Sequence, residues 1–428
     1  MLDIKQIREN PGAVRDNLAK RRDEEKLELL ERVISIDKEW RQVVEEANKL
    51  KHERNVVSKS ISELKREGKD AAAELQRASE LPKELEKVEE KRKELEASVR
   101  QGLMRLPNIL HESVPVGADD SDNLEVSSWG DIPAKDFEIK AHGELLESLG
   151  MADFERARKV AGAGFLYMMG PLVQLDQALI NFALDLLIER GYIPVEPPFM
   201  IRREPYEGVT DLEDFESVMY KIEGEDLYLI ATSEHPIAAM YQGEIIDEDA
   251  LPLKYAGFST NFRREIGSRG VDTRGLFRMH QFNKVEQFIF STPEDSWTYH
   301  EELLKNAEDL HQMLEIPYRV VNDCTGDIGT VAAKKYDIEA WSPRQGKYVE
   351  VVSCSNCTDY QARRLRIRVG KVGGEKRVLH TLNSTALATS RTLVAILENN
   401  QTADGSVTVP EALRPYMKGM EVITAKSQ

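Results

Sequence analysis

Cysteine is scarce in this chain: Cys324, Cys354 and Cys357 are the only three in 428 residues. So low and odd a count argues against a disulfide scaffold and fits a reducing compartment, so the cytoplasm is the expected location. Long apolar runs are missing too, with no stretch approaching the ~18 apolar residues that a membrane span needs. Met1 to Asn10 alternate charged and apolar types and lack the apolar core of a signal peptide. Positive charge is in deficit: 58 Lys and Arg stand against 75 Asp and Glu, a formal net charge of −17. That excludes a generic basic nucleic-acid binder, and RNA would have to be met by local basic patches on an acidic body. Neither common phosphate loop is present. No Gly-x-Gly-x-x-Gly follows a strand pattern and no P-loop occurs, so any ATP is held by other means.

What is present is 41% hydrophobic and 31% charged residues, enough for a sizeable core and for two or three domains. Residues 27 to 106 differ in kind from the rest. Val33, Ile36, Trp40, Val43, Ala47, Leu50, Arg54, Val57, Ile61 and Leu64 recur at steps of three and four, a heptad seam broken only by Arg54. After a polar stretch around Gly68, a second seam runs through Ala78, Leu81, Leu85, Val88, Arg92, Leu95 and Val99. Two such stripes joined by a short turn predict an antiparallel helical hairpin, the first helix ~60 Å long. Pro82 predicts a kink or a late start of the second helix. Charges nearly cancel here, with seventeen Lys and Arg against eighteen Asp and Glu over residues 27–101, so this arm is the part least repulsive to a polyanion.

Pro107, Pro115, Gly117 and the acidic run Asp119 to Asp122 mark a linker. The expected division is a helical arm at 1–106, a linker at 107–124 and a catalytic domain at 125–428. In the last part, Leu172 to Arg190, Trp297 to Leu314 and Thr389 to Asn399 read as helices. Leu227 to Ala231, Tyr255 to Phe262, Asn283 to Phe290 and Lys347 to Val352 read as strands, and Tyr192 to Ile201 as extended chain. Strands with intervening loops and helices at the ends predict an α+β domain on an antiparallel sheet.

Four segments carry chemistry. Phe262-Arg263-Arg264-Glu265 ends a strand and precedes a polar loop, Ile266 to Thr273, then Arg274 and Arg278. A strand arginine can grip phosphate in bidentate fashion, and a glutamate two residues on shares its face. Phe282, Lys284 and Glu286 follow at period two on the return strand. Thr232-Ser233-Glu234 offers hydroxyls and a carboxylate at a strand end, though the same pattern also suits a helix N-cap. Asn383 to Arg391 runs from small residues into a helix, placing Arg391 where it can hold a terminal phosphate. Cys354-x-x-Cys357 has the spacing of a zinc or redox pair, but no histidine lies beside it.

Taken together these pieces resemble the class II aminoacyl-tRNA synthetases. Motif 1 is similar to Leu172 to Pro198, motif 2 to Phe262 to Phe290, and motif 3 to Leu387 to Asn399, with Ala386 and Ala388 where the class commonly has glycine. Within the class the match is to the seryl branch. It rests on the opening Met1-Leu-Asp-Ile with Arg8-Glu-Asn-Pro-Gly12, the two-helix arm, Thr232-x-Glu234, His280 to Glu286 and Val349 to Arg363. The likeness covers essentially the whole chain.

The resemblance implies activation of L-serine with ATP to seryl-adenylate, then transfer to the 3′ end of serine tRNA, with selenocysteine tRNA as a second candidate. It implies that Arg263 holds the α-phosphate and the serine carboxylate, that Glu265 meets the adenine amine, and that Phe282 stacks on adenine. Arg264, Met279, Glu350, Val351, Val352 and Ser353 complete the implied ATP site, Glu350 holding Mg²⁺, and Arg391 binds the γ-phosphate. Serine is expected among Thr232, Ser233, Glu234, Arg263, Glu286 and Thr385. A homodimer through motif 1 and docking of the arm on a long variable arm of the tRNA are also implied, with no membrane partner. The rival readings are a coiled-coil scaffold, for which the remaining 320 or so residues would be idle, and a synthetase-like protein loading a carrier protein, which would be expected to lack the arm.

Overall fold

The computed structural model describes residues 1–132, 134–265, 275–371 and 373–425. The polar loop Ile266 to Thr273 and Arg274 therefore lie outside the described residues. The chain divides into two compact units, Met1–Ile109 and Leu110–Gln428.

The first unit is the helical hairpin. Helix α1 spans Glu24–Arg66 and α2 spans Ala72–Arg105. Asp23 caps α1 by accepting the Lys26 N–H, and the acidic Glu24 and Glu25 sit at the positive end of the helix dipole. The turn closes when Lys69 N–H donates to Leu64 O across Gly68, which takes a φ of 68° that a side chain would strain. Val33, Val43, Ala47 and Leu81 are buried along the seam, while Arg54 is exposed. Pairs Arg77–Glu53 at 2.7 Å, Lys51–Glu89 at 2.6 Å and Lys91–Glu39 at 2.7 Å cross from one helix to the other. Pro82 lies well inside α2, which begins ten residues earlier, so the late-start reading fails; a proline there leaves the Ala78 carbonyl without its usual donor. Two short helices, Ile4–Glu9 and Pro11–Ala19, precede α1. Arg8 reaches the buried Asp37 at 2.6 Å and 3.0 Å.

The second unit is built on one eight-stranded sheet. In chain order it contains β1 (Leu124–Trp129), α3 (Pro171–Glu189), β2 (Ile193–Val195), α4 (Arg203–Val209), α5 (Glu234–Ala239), β3 (Leu253–Phe262), β4 (Gln281–Ser291) and α6 (Ser296–Met313). There follow β5 (Tyr318–Asn322), β6 (Lys334–Ser342), β7 (Lys347–Asn356), α7 (Tyr360–Leu365), β8 (His380–Ala388) and α8 (Thr389–Asn399). The sheet order is β1-β5-β6-β7-β8-β4-β3-β2, antiparallel throughout except for the parallel β2–β3 edge. This is the expected α+β architecture. Helices α3, α6 and α8 supply the apolar stripes that cover the sheet, with Leu179, Leu303, Leu310, Leu393 and Ile396 all buried in one cluster.

Among the described residues α3 alone would pass for a membrane span by length and composition, contrary to the expectation that no stretch approaches one. Nine of its residues, Asp176 among them, are instead buried. The segment read as a linker includes Leu110 and Val114, buried with Ile328 and Ala332. Leu227 to Ala231 is not a full strand: only Tyr228–Leu229 pairs, in a small separate sheet with Met200–Ile201.

Candidate active site

Register builds the site. Strands β3 and β4 pair Asn261 with Phe282, Ser259 with Lys284 and Gly257 with Glu286. Side chains on a strand alternate, so Phe282, Lys284 and Glu286 share a face. Pairing of β4 with β8 sets Thr385 opposite Glu286, and the Thr385 hydroxyl lies 3.4 Å from Glu286 Oε2. Gly257 has no side chain for a reason. A Cβ there would sit 2.4 Å from Ile237 Cδ1 and 2.7 Å from Ser233 Oγ, so glycine lets the start of α5 rest on the strand.

These elements enclose a cavity of about 570 Å³, a size suited to a small-molecule ligand. Arg263, Arg264, Glu265, Met279, Phe282, Glu286, Glu350, Val351, Ser353, Thr385, Arg391, Thr232 and Glu234 all line it. Two expected residues do not. Ser233 is fully buried and donates to the Gly257 carbonyl at 3.0 Å, and Val352 turns into the core. The alternation that brings Val351 and Ser353 to the wall sends the residue between them to the other face.

Charge is paired in two places. Lys284 Nζ lies 2.5 Å from Glu286 Oε2, both nearly buried. Arg391 Nη1 lies 3.1 Å from Glu350 Oε1. Arg263 sits within electrostatic reach of both pairs, and burial, then the Arg391 charge, lowers its pKa. Its guanidinium stacks over the Phe282 ring, 5.2 Å from the centroid, and its Nε donates to Ala231 O at 3.4 Å. Glu234 lies deep in the cavity. Burial, then the nearby Glu286 charge, pushes its carboxyl up to about 7. Beside it, burial drives His235 down to about 3, so that ring is neutral.

Several wall residues were not singled out from the sequence as site residues: His235, Phe277, Lys335, Cys357 and Ser390. Lys284 and Asn383 also line the cavity. Their signal was the period-two spacing to Glu286 and to Thr385, which puts them on the same faces. Cys354 and Cys357 are buried and not joined in a disulfide, and burial raises both thiols well above their ordinary pKa. Lys335, another cation on the wall, pairs with Asp323, and its Nζ lies 3.4 Å from Asp337 Oδ2.

An antiparallel sheet carrying two arginines, a carboxylate and an aromatic ring around one cavity, with no phosphate loop, defines a class II aminoacyl-tRNA synthetase core. Residues 217–400 match the family model "tRNA synthetase class II core domain (G, H, P, S and T)", and residues 1–110 match "Seryl-tRNA synthetase N-terminal domain". The chain is 58% identical over 425 residues to the serine–tRNA ligase of Methanocella arvoryzae, covering 99% of this chain and 100% of that one. Seryl-tRNA synthetase from Pyrococcus horikoshii, solved in complex with ATP, superposes with a TM-score of 0.96 at 50% identity over all of both chains. Cytoplasmic serine–tRNA ligase from Naegleria fowleri, solved with AMP, gives 0.89 at 39% identity, covering 100% of this chain and 99% of that one. This chain belongs to the seryl-tRNA synthetase family.

Proposed function

We propose that the cavity activates L-serine with ATP and that the chain then transfers the seryl group to the 3′ end of serine tRNA. Family membership over the full length supports the activity. The observation that carries the site assignment is Arg263, a half-buried cation on the cavity wall within electrostatic reach of both the Arg391–Glu350 pair and Glu286.

Activation joins two anions, the serine carboxylate and the α-phosphate. Positive charge fixed between them is what the chemistry needs, with no general base. Arg263 holds both reacting groups and Arg391 takes the γ-phosphate. Glu265 receives the adenine amine, Phe282 supports the ring, and Arg264, Met279 and Val351 line the nucleotide. Glu234 and Thr232 take the serine ammonium, while Glu286 and Thr385 meet its hydroxyl. Alanine brings no hydroxyl to Glu286 and Thr385, and sites built to hydrogen-bond a substrate hydroxyl reject the analogue lacking it by ~10⁴.

The oxygen donors Glu350 and Ser353 suit a hard divalent cation, and Mg²⁺ held there would screen the triphosphate charge. Glu350 is free to serve it once Arg391 turns to phosphate. The hairpin of the first unit docks on the tRNA by shape and backbone. A homodimer is supported by Val173, Ile188 and Ile193, apolar side chains left exposed on α3 and β2. The working compartment is the cytoplasm. Aminoacylation with each of the twenty amino acids tests the reading: serine alone should be charged, and another preferred substrate would refute it.

A further inference from the structure

Glu234 enters the cavity from the first turn of α5. Its Oε1 accepts two amide hydrogens, from Gln361 Nε2 at 2.9 Å and from Asn383 Nδ2 at 3.2 Å. Among the described hydrogen bonds its Oε2 has no protein donor.

Gln361 is on α7, outside the cavity wall, and is completely buried. Its Nε2 also donates to the Val209 carbonyl at 3.3 Å, and its Oε1 accepts from the buried Thr381 hydroxyl at 2.6 Å. A carbonyl oxygen only accepts, so Val209 fixes which end of the amide faces Glu234. The neighbouring Arg364 ties the same helix to α4 by donating to Glu207 O at 3.0 Å and Thr210 O at 2.8 Å. The Gln361 donor is therefore rigid and aimed.

We propose that Gln361 is a positioning residue for amino-acid binding: it holds Glu234 as a carboxylate, with one oxygen occupied and the other open to the substrate ammonium. The proposal rests on the reading that Glu234 receives that ammonium.

The groups around Glu234 explain why a donor is needed. Glu286 on β4 repels its negative charge. Lys284 on β4 and Arg263 after β3 favour it. Cys357 after β7 is a neutral thiol, Tyr206 on α4 is an un-ionised phenol, and His235 on α5 is neutral. Burial, then Glu286, already lifts the Glu234 carboxyl to about 7, and the Gln361 bond acts against that rise. Without it, a larger share of Glu234 would be protonated at neutral pH, and a protonated carboxyl does not attract an ammonium.

The test is pyrophosphate exchange by the full chain from pH 6 to 9. Gln361→Met keeps the volume and removes the donor. The KM for serine should rise about fivefold at pH 7, the effect of one unit of pKa shift on a carboxyl that titrates near 7, and the penalty should shrink towards pH 9 as Glu234 ionises. The kcat and the KM for ATP should stay close to wild type. Gln361→Glu should show the same pH dependence, because a second carboxyl raises the Glu234 pKa further: serine affinity should be low near neutral pH and recover as pH rises. A pH-independent increase in KM, or kcat and both KM values moving together, would mark a structural role and overturn the proposal. Should the Met variant not fold, the Glu variant decides by the direction of its slope. Glu234→Gln separates the two claims. If it leaves the KM for serine unchanged, the ammonium assignment itself is wrong. If it raises that KM strongly while both Gln361 variants retain the wild-type profile, only the positioning role is lost.

Discussion

Arg391 Nη1 lies 3.1 Å from Glu350 Oε1 and donates to the Glu350 carbonyl at 2.8 Å. The first turn of α8 and strand β7 thus hold together a cation and an anion that a nucleotide would separate. Both side chains are partly exposed, at 30% and 46%, so the pair is screened and is worth at most ~1 kcal/mol. It opens cheaply.

Replacing Arg391 therefore should cost activity rather than stability. Arg391→Gln is expected to lower kcat/KM for ATP in serine-dependent pyrophosphate exchange by at least ~10²-fold, the size found when one preorganised donor to a developing charge is removed. Its melting temperature should stay within a few degrees of wild type. An exchange rate within threefold of wild type would contradict the phosphate role.

Glu350 should show the complementary behaviour. Glu350→Gln keeps the shape and removes the charge, so the Mg²⁺ concentration for half-maximal exchange should rise about 10-fold or more. Titrating the metal at fixed ATP measures this. An unchanged midpoint with a lower maximal rate would place the metal on other ligands.

Much of this site was legible in the sequence because strands alternate. Once Asn283 to Phe290 reads as a strand, Phe282, Lys284 and Glu286 share a face, and their registers with Gly257 and Thr385 follow the ladder. The same rule, applied between Val351 and Ser353, would have removed Val352 from the wall. Other elements were hidden for physical reasons. Leu227 to Ala231 is apolar because Tyr228 and Ile230 are buried, Tyr228 against the Tyr206 ring, not because the whole run joins a ladder. Strand β8 carries Asn383, Ser384 and Thr385, types that read as a loop, yet all are buried and Ser384 is opposite Cys354. Gln361 gave no signal, because a buried amide that acts through another residue has no pattern of its own.

Histidine burial makes a prediction about acid stability. His300 on α6 sits against Tyr336, ring centroids 5.2 Å apart, with Nε2 3.1 Å from the Cys354 carbonyl. Burial pulls its pKa down to about 4. The ring is neutral in the folded chain, whereas in the unfolded chain it gains a proton near pH 6.5. Between about pH 6.5 and 4 the unfolded state binds more protons at this site, so the contribution of His300 to stability is lost as pH falls. His300→Gln cannot titrate. Its stability deficit relative to wild type, read from urea midpoints, should narrow as pH drops from 7 to 4. A deficit that widens or stays flat would show that His300 is not a neutral buried ring.

The hairpin allows the two halves of the reaction to be separated. Helices α1 and α2 pack on each other through Val33, Val43, Ala47 and Leu81 and through ion pairs such as Arg77–Glu53. No residue between 30 and 100 lines the cavity. Deleting residues 30–100 should therefore leave serine-dependent pyrophosphate exchange within a few-fold of wild type, because positioning of ATP and serine depends on the sheet. Charging of tRNA should fall by ~10² or more if the hairpin docks on tRNA as proposed, because the long rod would then supply shape and backbone contacts to the RNA. Such contacts release counterions, so raising salt from 50 to 200 mM should weaken tRNA binding by the full chain far more than by the truncated one. Equal charging by both forms, at matched exchange activity, would remove the hairpin from tRNA recognition and leave it as a structural element alone.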